Sequence, residues 1–108
     1  MEDIGMLMVN TQDIPGKRVE AISLVSGICI MSRHIGKDIG AGLRNLVGGE
    51  MKAYVEMLNQ SKEEALLRME EEAERLGADA VVNIRFTTSS IIQGGAEVLA
   101  YGTAVKYV

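Results

Sequence analysis

The sequence predicts an α+β domain with helices packed on one side of a mostly antiparallel four-stranded sheet. Three observations predict it. A long stretch, Met51 to Leu76, repeats apolar residues at helical spacing without a Gly or Pro. Two segments before it and two after it are apolar and rich in β-branched residues. A Gly-rich stretch just ahead of the long helix carries a second, weaker helical pattern. The expected order is β-β-α-α-β-β. With 108 residues, 47% of them hydrophobic, the chain is expected to form a single domain, residues 1–108, with a small core and no room for a second.

Met6 to Asn10 is a short apolar run and reads as the first strand. In Asp13-Ile-Pro-Gly16 the Pro presets φ and the Gly accepts the positive φ that follows, which predicts a type II turn. Arg18 to Ile30 reads as the second strand. Ile22, Leu24, Ser26, Ile28 and Ile30 share one face by period two, and Val19, Ala21, Ser23, Val25, Gly27 and Cys29 share the other. Neither face is strongly polar, so both are expected to be covered, the second of them by another subunit. A short helix is expected from about Asp38 to Val47, broken by Gly48-Gly49.

Met51, Tyr54, Val55, Leu58, Ala65, Leu66, Met69, Ala73 and Leu76 trace the predicted apolar stripe of the long helix. Gly77 suits a left-handed C-terminal cap, and Arg75 suits the negative end of the helix dipole. Ala78 to Thr88 reads as the third strand, with Ala80, Val82, Ile84 and Phe86 as its apolar face. The loop after it carries Ile91 and Ile92, a candidate interaction site. Ala96 to Val108 is the last strand. Its Val98, Ala100, Gly102 and Ala104 form a smooth face on which a helix can sit closely.

Composition and charge exclude several classes. The single cysteine, Cys29, forbids an intrachain disulfide and suits a reducing cytoplasm. The acidic start lacks the basic region of a signal peptide. Ala21 to Ser32, the longest charge-free stretch of the first half, is too short to span a bilayer. A soluble, cytoplasmic protein without a membrane partner is expected. The net charge of −4 resides in Glu50 to Arg75, where eight acids face four bases. Such a face repels phosphate backbones, so nucleic acid is not an expected partner.

Chemistry-bearing motifs are scarce. The chain has no phosphate loop and no nucleophile elbow, and Gly40-Ala-Gly42 lacks the third Gly of a dinucleotide fingerprint. An enzyme reading therefore ranks lowest. Cys29 and His34 are the only soft ligands, a candidate pair for a divalent metal. A structural zinc site wants four protein ligands, so copies of the chain would have to pool theirs. Arg33, His34, Lys37 and Arg44 surround a Gly-rich helix start and form a candidate anion site. Glu70, Glu71, Glu72 and Glu74 could hold a hard cation weakly. A solvated surface explains the last two groups more simply.

Four segments carry a family resemblance. They are Asn10-Thr-Gln-Asp-Ile-Pro-Gly16, Asp38-Ile-Gly-Ala-Gly-Leu-Arg-Asn-Leu-Val-Gly-Gly49 with Ala53-Tyr54, Ala73-Glu-Arg-Leu-Gly-Ala-Asp-Ala-Val-Val82, and Tyr101-Gly-Thr-Ala-Val105. Nearly the whole chain thereby resembles the YbjQ-like family, which carries a heavy-metal-binding label. The resemblance implies a β-α-β type subunit similar to dodecin-like folds, assembled as a ring-shaped pentamer, and no established activity. It points to Arg44, Gly48, Gly49, Tyr54 and Asp79 as candidate ligand-binding positions. Three expectations compete: a homo-oligomeric binding or scaffold module, a metal-binding protein using Cys29 and His34 or carboxylates at subunit junctions, and an enzyme with its site at a subunit interface.

Overall fold

The computed structural model describes residues 5–32, 49–89 and 95–108. Its elements are β1 (Leu7–Met8), β2 (Val19–Ser32), α1 (Gly49–Arg75), β3 (Ala80–Ser89) and β4 (Gly95–Tyr107). The strands form one sheet in the order β1-β3-β4-β2. β4 pairs antiparallel with both neighbours, along β2 from Val19↔Tyr107 to Ser32↔Gly95 and along β3 from Ala80↔Val105 to Ser89↔Glu97. β1 runs parallel to β3 through Leu7↔Ala80 and Met8↔Val81. α1 crosses one face of the sheet, chiefly over β2 and β4.

This corrects the predicted fold. The sheet is mixed rather than mostly antiparallel, and the described residues hold one helix rather than two. The dodecin-like subunit is not what forms, and nothing in the fold draws a ring. The short helix expected from Asp38 and the Ile91-Ile92 loop both lie outside the described residues.

The reason for the mixed sheet lies in the link between β1 and β2. The expected turn is present: the Lys17 N–H donates to the Ile14 carbonyl at 3.0 Å, and Gly16 has a φ of 80°. It does not fold β1 back onto β2. β1 and β2 point the same way at opposite edges of the sheet. The link crosses the face away from α1, where Val9, Ile14 and Val19 join Tyr107 in packing on Ala80, Val82 and Val105. Part of the second face is thus covered by the chain itself and not, as expected, by another subunit.

The main core lies between α1 and the sheet. Met57, Ser61, Ala65, Met69 and Ala73 are all at most 3% exposed and recur every fourth residue, so one i±4 ridge of the helix enters the sheet. The predicted stripe differs, because Met51, Val55 and Leu76 are exposed. Ser61 is tolerated in the ridge because its hydroxyl donates to the Met57 carbonyl at 3.0 Å. As expected, the small residues Ala100 and Ala104 of β4 are fully buried beneath the helix.

A second correction concerns β3. Its register with β4 shifts between Val82 and Arg85, where Asn83 takes a φ of 58°. Asn tolerates the left-handed region better than most residues. This bulge re-aims the strand. Val81 and Ile84 enter the core under α1, while Ala80 and Val82 join the cluster on the opposite face. The predicted single face of Ala80, Val82, Ile84 and Phe86 is therefore split. Gly102 lies beside the bulge, and a Cβ there would stand 2.9 Å from the Val82 carbonyl oxygen.

α1 ends as the sequence predicts. Gly77 has a φ of 80°, its N–H donates to Glu74, and the Ala78 N–H donates to Ala73 at 3.0 Å. These are the two bonds of a Schellman cap.

Of the described glycines, Gly27 of β2 leaves the least room for a side chain. A Cβ on Gly27 would collide with the Ala65 carbonyl oxygen and lie 2.5 Å from the Met69 nitrogen, both of them helix backbone. Replacing Gly27 by Ala is expected to destabilise the fold by about 1–3 kcal/mol, read as a lower urea midpoint with an unchanged denaturant slope.

Candidate functional site

Among the described residues the candidate positions do not converge. Gly49 opens α1, and Tyr54 stands half-buried in its second turn. Asp79 lies beyond the far end of the same helix. From Tyr54 to Arg75 the helix rises about 32 Å, so Tyr54 and Asp79 cannot share a ligand-sized site. Cys29 is 3% exposed in the core with Val25, Met69 and Val98. Arg33, His34, Lys37, Arg44 and Gly48 lie outside the described residues.

Asp79 holds backbone in place. Its carboxylate accepts the Tyr107 N–H at 2.9 Å, and its own N–H donates to the Val105 carbonyl at 2.8 Å. Lys106 reaches over the same turn, with Nζ donating to the Gly77 carbonyl at 3.0 Å and lying 3.7 Å from the Asp79 carboxylate. The Gly77-Ala-Asp79 sequence therefore ends α1 and ties that end to the last residues of β4.

The helix carboxylates also serve the fold. Glu70 accepts the Met6 N–H at 2.8 Å, fixing the entry to β1. Glu72 accepts the Ser26 N–H at 3.4 Å and pairs with Arg75 at 3.4 Å. Arg68 donates from Nη1 to the Ile28 carbonyl at 2.6 Å and from Nε to Glu64 at 3.0 Å. Ser26 and Ile28 lie on β2, whose other side is an edge of the sheet. Arg68 and Glu72 thus cap that edge with opposite charges, a role that spacing along the chain does not reveal.

Among the described residues no three His, Cys, Asp or Glu side chains gather where they could hold an ion. Cys29 shares its core with aliphatic and thioether side chains.

Two surfaces remain. The sheet face away from α1 exposes Leu24 (70%), Ile30 (55%) and Ile28 (42%), on the face their alternation predicts. On the other side, a groove of about 680 Å³ opens between β1, α1 and β3, walled by Met8, Val9, Leu66, Ile84, Arg85 and Phe86. Arg85 Nη1 donates to the Asn10 and Ile84 carbonyls at 3.2 and 3.1 Å. The sequence did not reveal this groove, because β1 and β3 meet only through long-range pairing.

Asp79→Ala removes a charge-assisted bond to backbone and is expected to cost about 1–2 kcal/mol of stability. Urea denaturation measures it, and a ligand-binding role for Asp79 would instead leave the midpoint unchanged.

The sequence comparisons agree on one family. No helix among the described residues is long and apolar enough to cross a membrane. The family model described as "Putative heavy-metal-binding" (YbjQ) matches residues 6–108. A UPF0145 protein of Clostridium novyi (strain NT) is 60% identical over 101 residues, covering 94% of this chain and 98% of its own. A UPF0145 protein of Halorubrum lacusprofundi is 55% identical over 102 residues, covering 94% and 98%. One from Thermotoga maritima is 52% identical over 102 residues, covering 94% and 96%. Among solved structures, a protein of unknown function of the DUF74 family from Pediococcus pentosaceus superposes with a TM-score of 0.72. That match covers 95% of this chain and 98% of the other at 15% identity, and speaks for the fold alone. A family model matched from Met6 to the last residue, with relatives above half identical along nearly their whole length, makes the chain a member of the YbjQ (UPF0145) family.

Proposed function

We propose that the chain is a homo-oligomeric binding or scaffold module whose copies cover one another's outer sheet face. One observation carries the reading: Leu24, Ile28 and Ile30 stand 70%, 42% and 55% exposed on one side of β2. Leu99 and Tyr101 on the neighbouring β4 are only half-buried and extend the patch. Contiguous apolar patches of this kind mark interaction surfaces. A Leu or Ile gains about 1.5–3 kcal/mol on full burial, so a few such side chains per copy supply a substantial drive to associate. Five copies is the stoichiometry that the family resemblance implies. The lone buried cysteine supports a reducing cytoplasm as the setting. An enzyme acting at a subunit interface ranks below this reading.

Light scattering after size exclusion tests it. The wild-type chain is expected to elute at several times its 11.7 kDa, and Leu24→Lys with Ile30→Lys is expected to elute at the mass of one copy. A wild-type chain that stays single at micromolar concentration ends the reading.

Metal handling is the second reading, favoured by the family's description. Cys29 and His34, the only soft nitrogen and sulfur ligands besides methionine, are its candidates. Equilibrium dialysis against Zn(II) and Cu(I), followed by elemental analysis, tests it. Stoichiometric uptake lost in both Cys29→Ala and His34→Ala carries the reading. Uptake unchanged in these variants removes both residues from it.

A further inference from the structure

We propose that the open edge of β3 and the groove beside it bind an extended peptide by strand addition, with a carboxylate of the peptide held by Arg85. The proposal rests on the reading of the chain as a binding module, but not on self-association.

The first observation is the unequal length of the paired strands. β3 has ten residues and β1 two. β1 covers Ala80 and Val81, and the link after it takes the Asn83 and Ile84 N–H groups through Thr11 and Val9. Beyond Ile84 no described strand lies alongside β3 on this edge. The Ile84 N–H points to this edge, so alternation along the strand turns the backbone groups of Phe86 and Thr88 the same way. Arg85 to Ser89 are all exposed.

The second observation is the contrast with the opposite edge. There the Arg68 and Glu72 side chains occupy the Ile28 carbonyl and the Ser26 N–H. Charged side chains on an edge are a usual defence against unwanted strand pairing. At the β3 edge the Arg85 guanidinium covers the Ile84 carbonyl, but among the described residues no charged side chain bonds the backbone from Phe86 to Ser89, and this stretch borders an apolar groove. An exposed edge with pockets for alternate side chains is the requirement for binding a peptide as an added strand.

The third observation selects the occupant. A strand laid beside Phe86 would direct alternate side chains into the groove over Leu66, Ile84 and Phe86, whose volume of about 680 Å³ suits small ligand groups. Arg85 is the one charged residue in the groove wall. Its Nη1 is committed to two carbonyls, and it has no ion-pair partner among the described residues. Its remaining N–H groups can take a carboxylate.

The test titrates the isotope-labelled full chain with an acetylated hexapeptide of alternating valine and threonine that ends in glutamate with a free C-terminus. Amide resonances of Phe86, Thr88 and Leu66 are expected to shift together. Methylating the peptide's ladder nitrogens should abolish the shifts. Replacing its glutamate by glutamine and amidating its C-terminus should weaken binding about tenfold, as should Arg85→Gln. No shift up to millimolar peptide, shifts confined to β2 or the outer face, or an affinity indifferent to the peptide's charge overturns the proposal. The peptide arms use the wild-type chain, so they decide even if Arg85→Gln fails to fold. Light scattering on the same sample reads self-association separately, so either idea can fail without the other.

Discussion

The contact on which the rest of the fold depends is that of α1 with Gly27, where helix backbone meets strand backbone with no side chain between. Such an approach demands small partners on both surfaces. They are present as Ala65 and Ala73 on the helix and Ala100 and Ala104 on β4, with Met69 filling the space they leave. Closeness also determines what the helix can reach. Arg68 and Glu72 each stand one residue before a member of the buried ridge, Met69 and Ala73, near enough to hydrogen-bond the edge of β2. A bulkier residue at position 27 would lift the helix and weaken the packing and the edge caps together.

The sheet is consequently asymmetric. One edge is long, paired throughout with β4 and closed by opposite charges. The other begins under a two-residue strand and, among the described residues, has no strand partner beyond Ile84. The two faces differ as well. The helix side is sealed along β2 and β4, while the outer side is sealed only where Val9, Ile14 and Val19 lie over Ala80, Val82 and Val105. Association of copies and docking of a strand draw on separate parts of this surface.

Much of the architecture was legible in the residues. The long helix, its Gly77 cap, the Pro15-Gly16 turn and the small-residue bed of β4 all follow from local chemistry. What was not legible depends on partners distant in sequence. The parallel pairing of Leu7 with Ala80 leaves no local trace. The positive φ of Asn83 is compatible with a plain strand pattern, and one extra residue put Ile84 on the face opposite to Val82. The helix stripe was misjudged because Ser61 and Met57 bury as completely as Ala65, while equally apolar Val55 does not. Of the candidate site residues, Asp79 was recognisable as part of a motif, yet its role as a backbone lock depends on Tyr107, 28 residues away. Cys29 was rightly placed on a strand face that turned out to lie under the helix.

The position of β4 constrains how the protein can be made. Among the described residues β2 pairs only with β4, and β3 reaches β2 only through it. β4 is also the last of these elements to leave the ribosome. During translation Leu24, Ile28 and Ile30 must therefore wait, in a segment without its strand partner, until α1 and β3 have emerged and β4 follows. Unpaired apolar strands of this kind are the usual substrates for misassembly and for chaperones. In this topology a nascent chain stalled before β4 has, among the described residues, no strand with which to shelter β2.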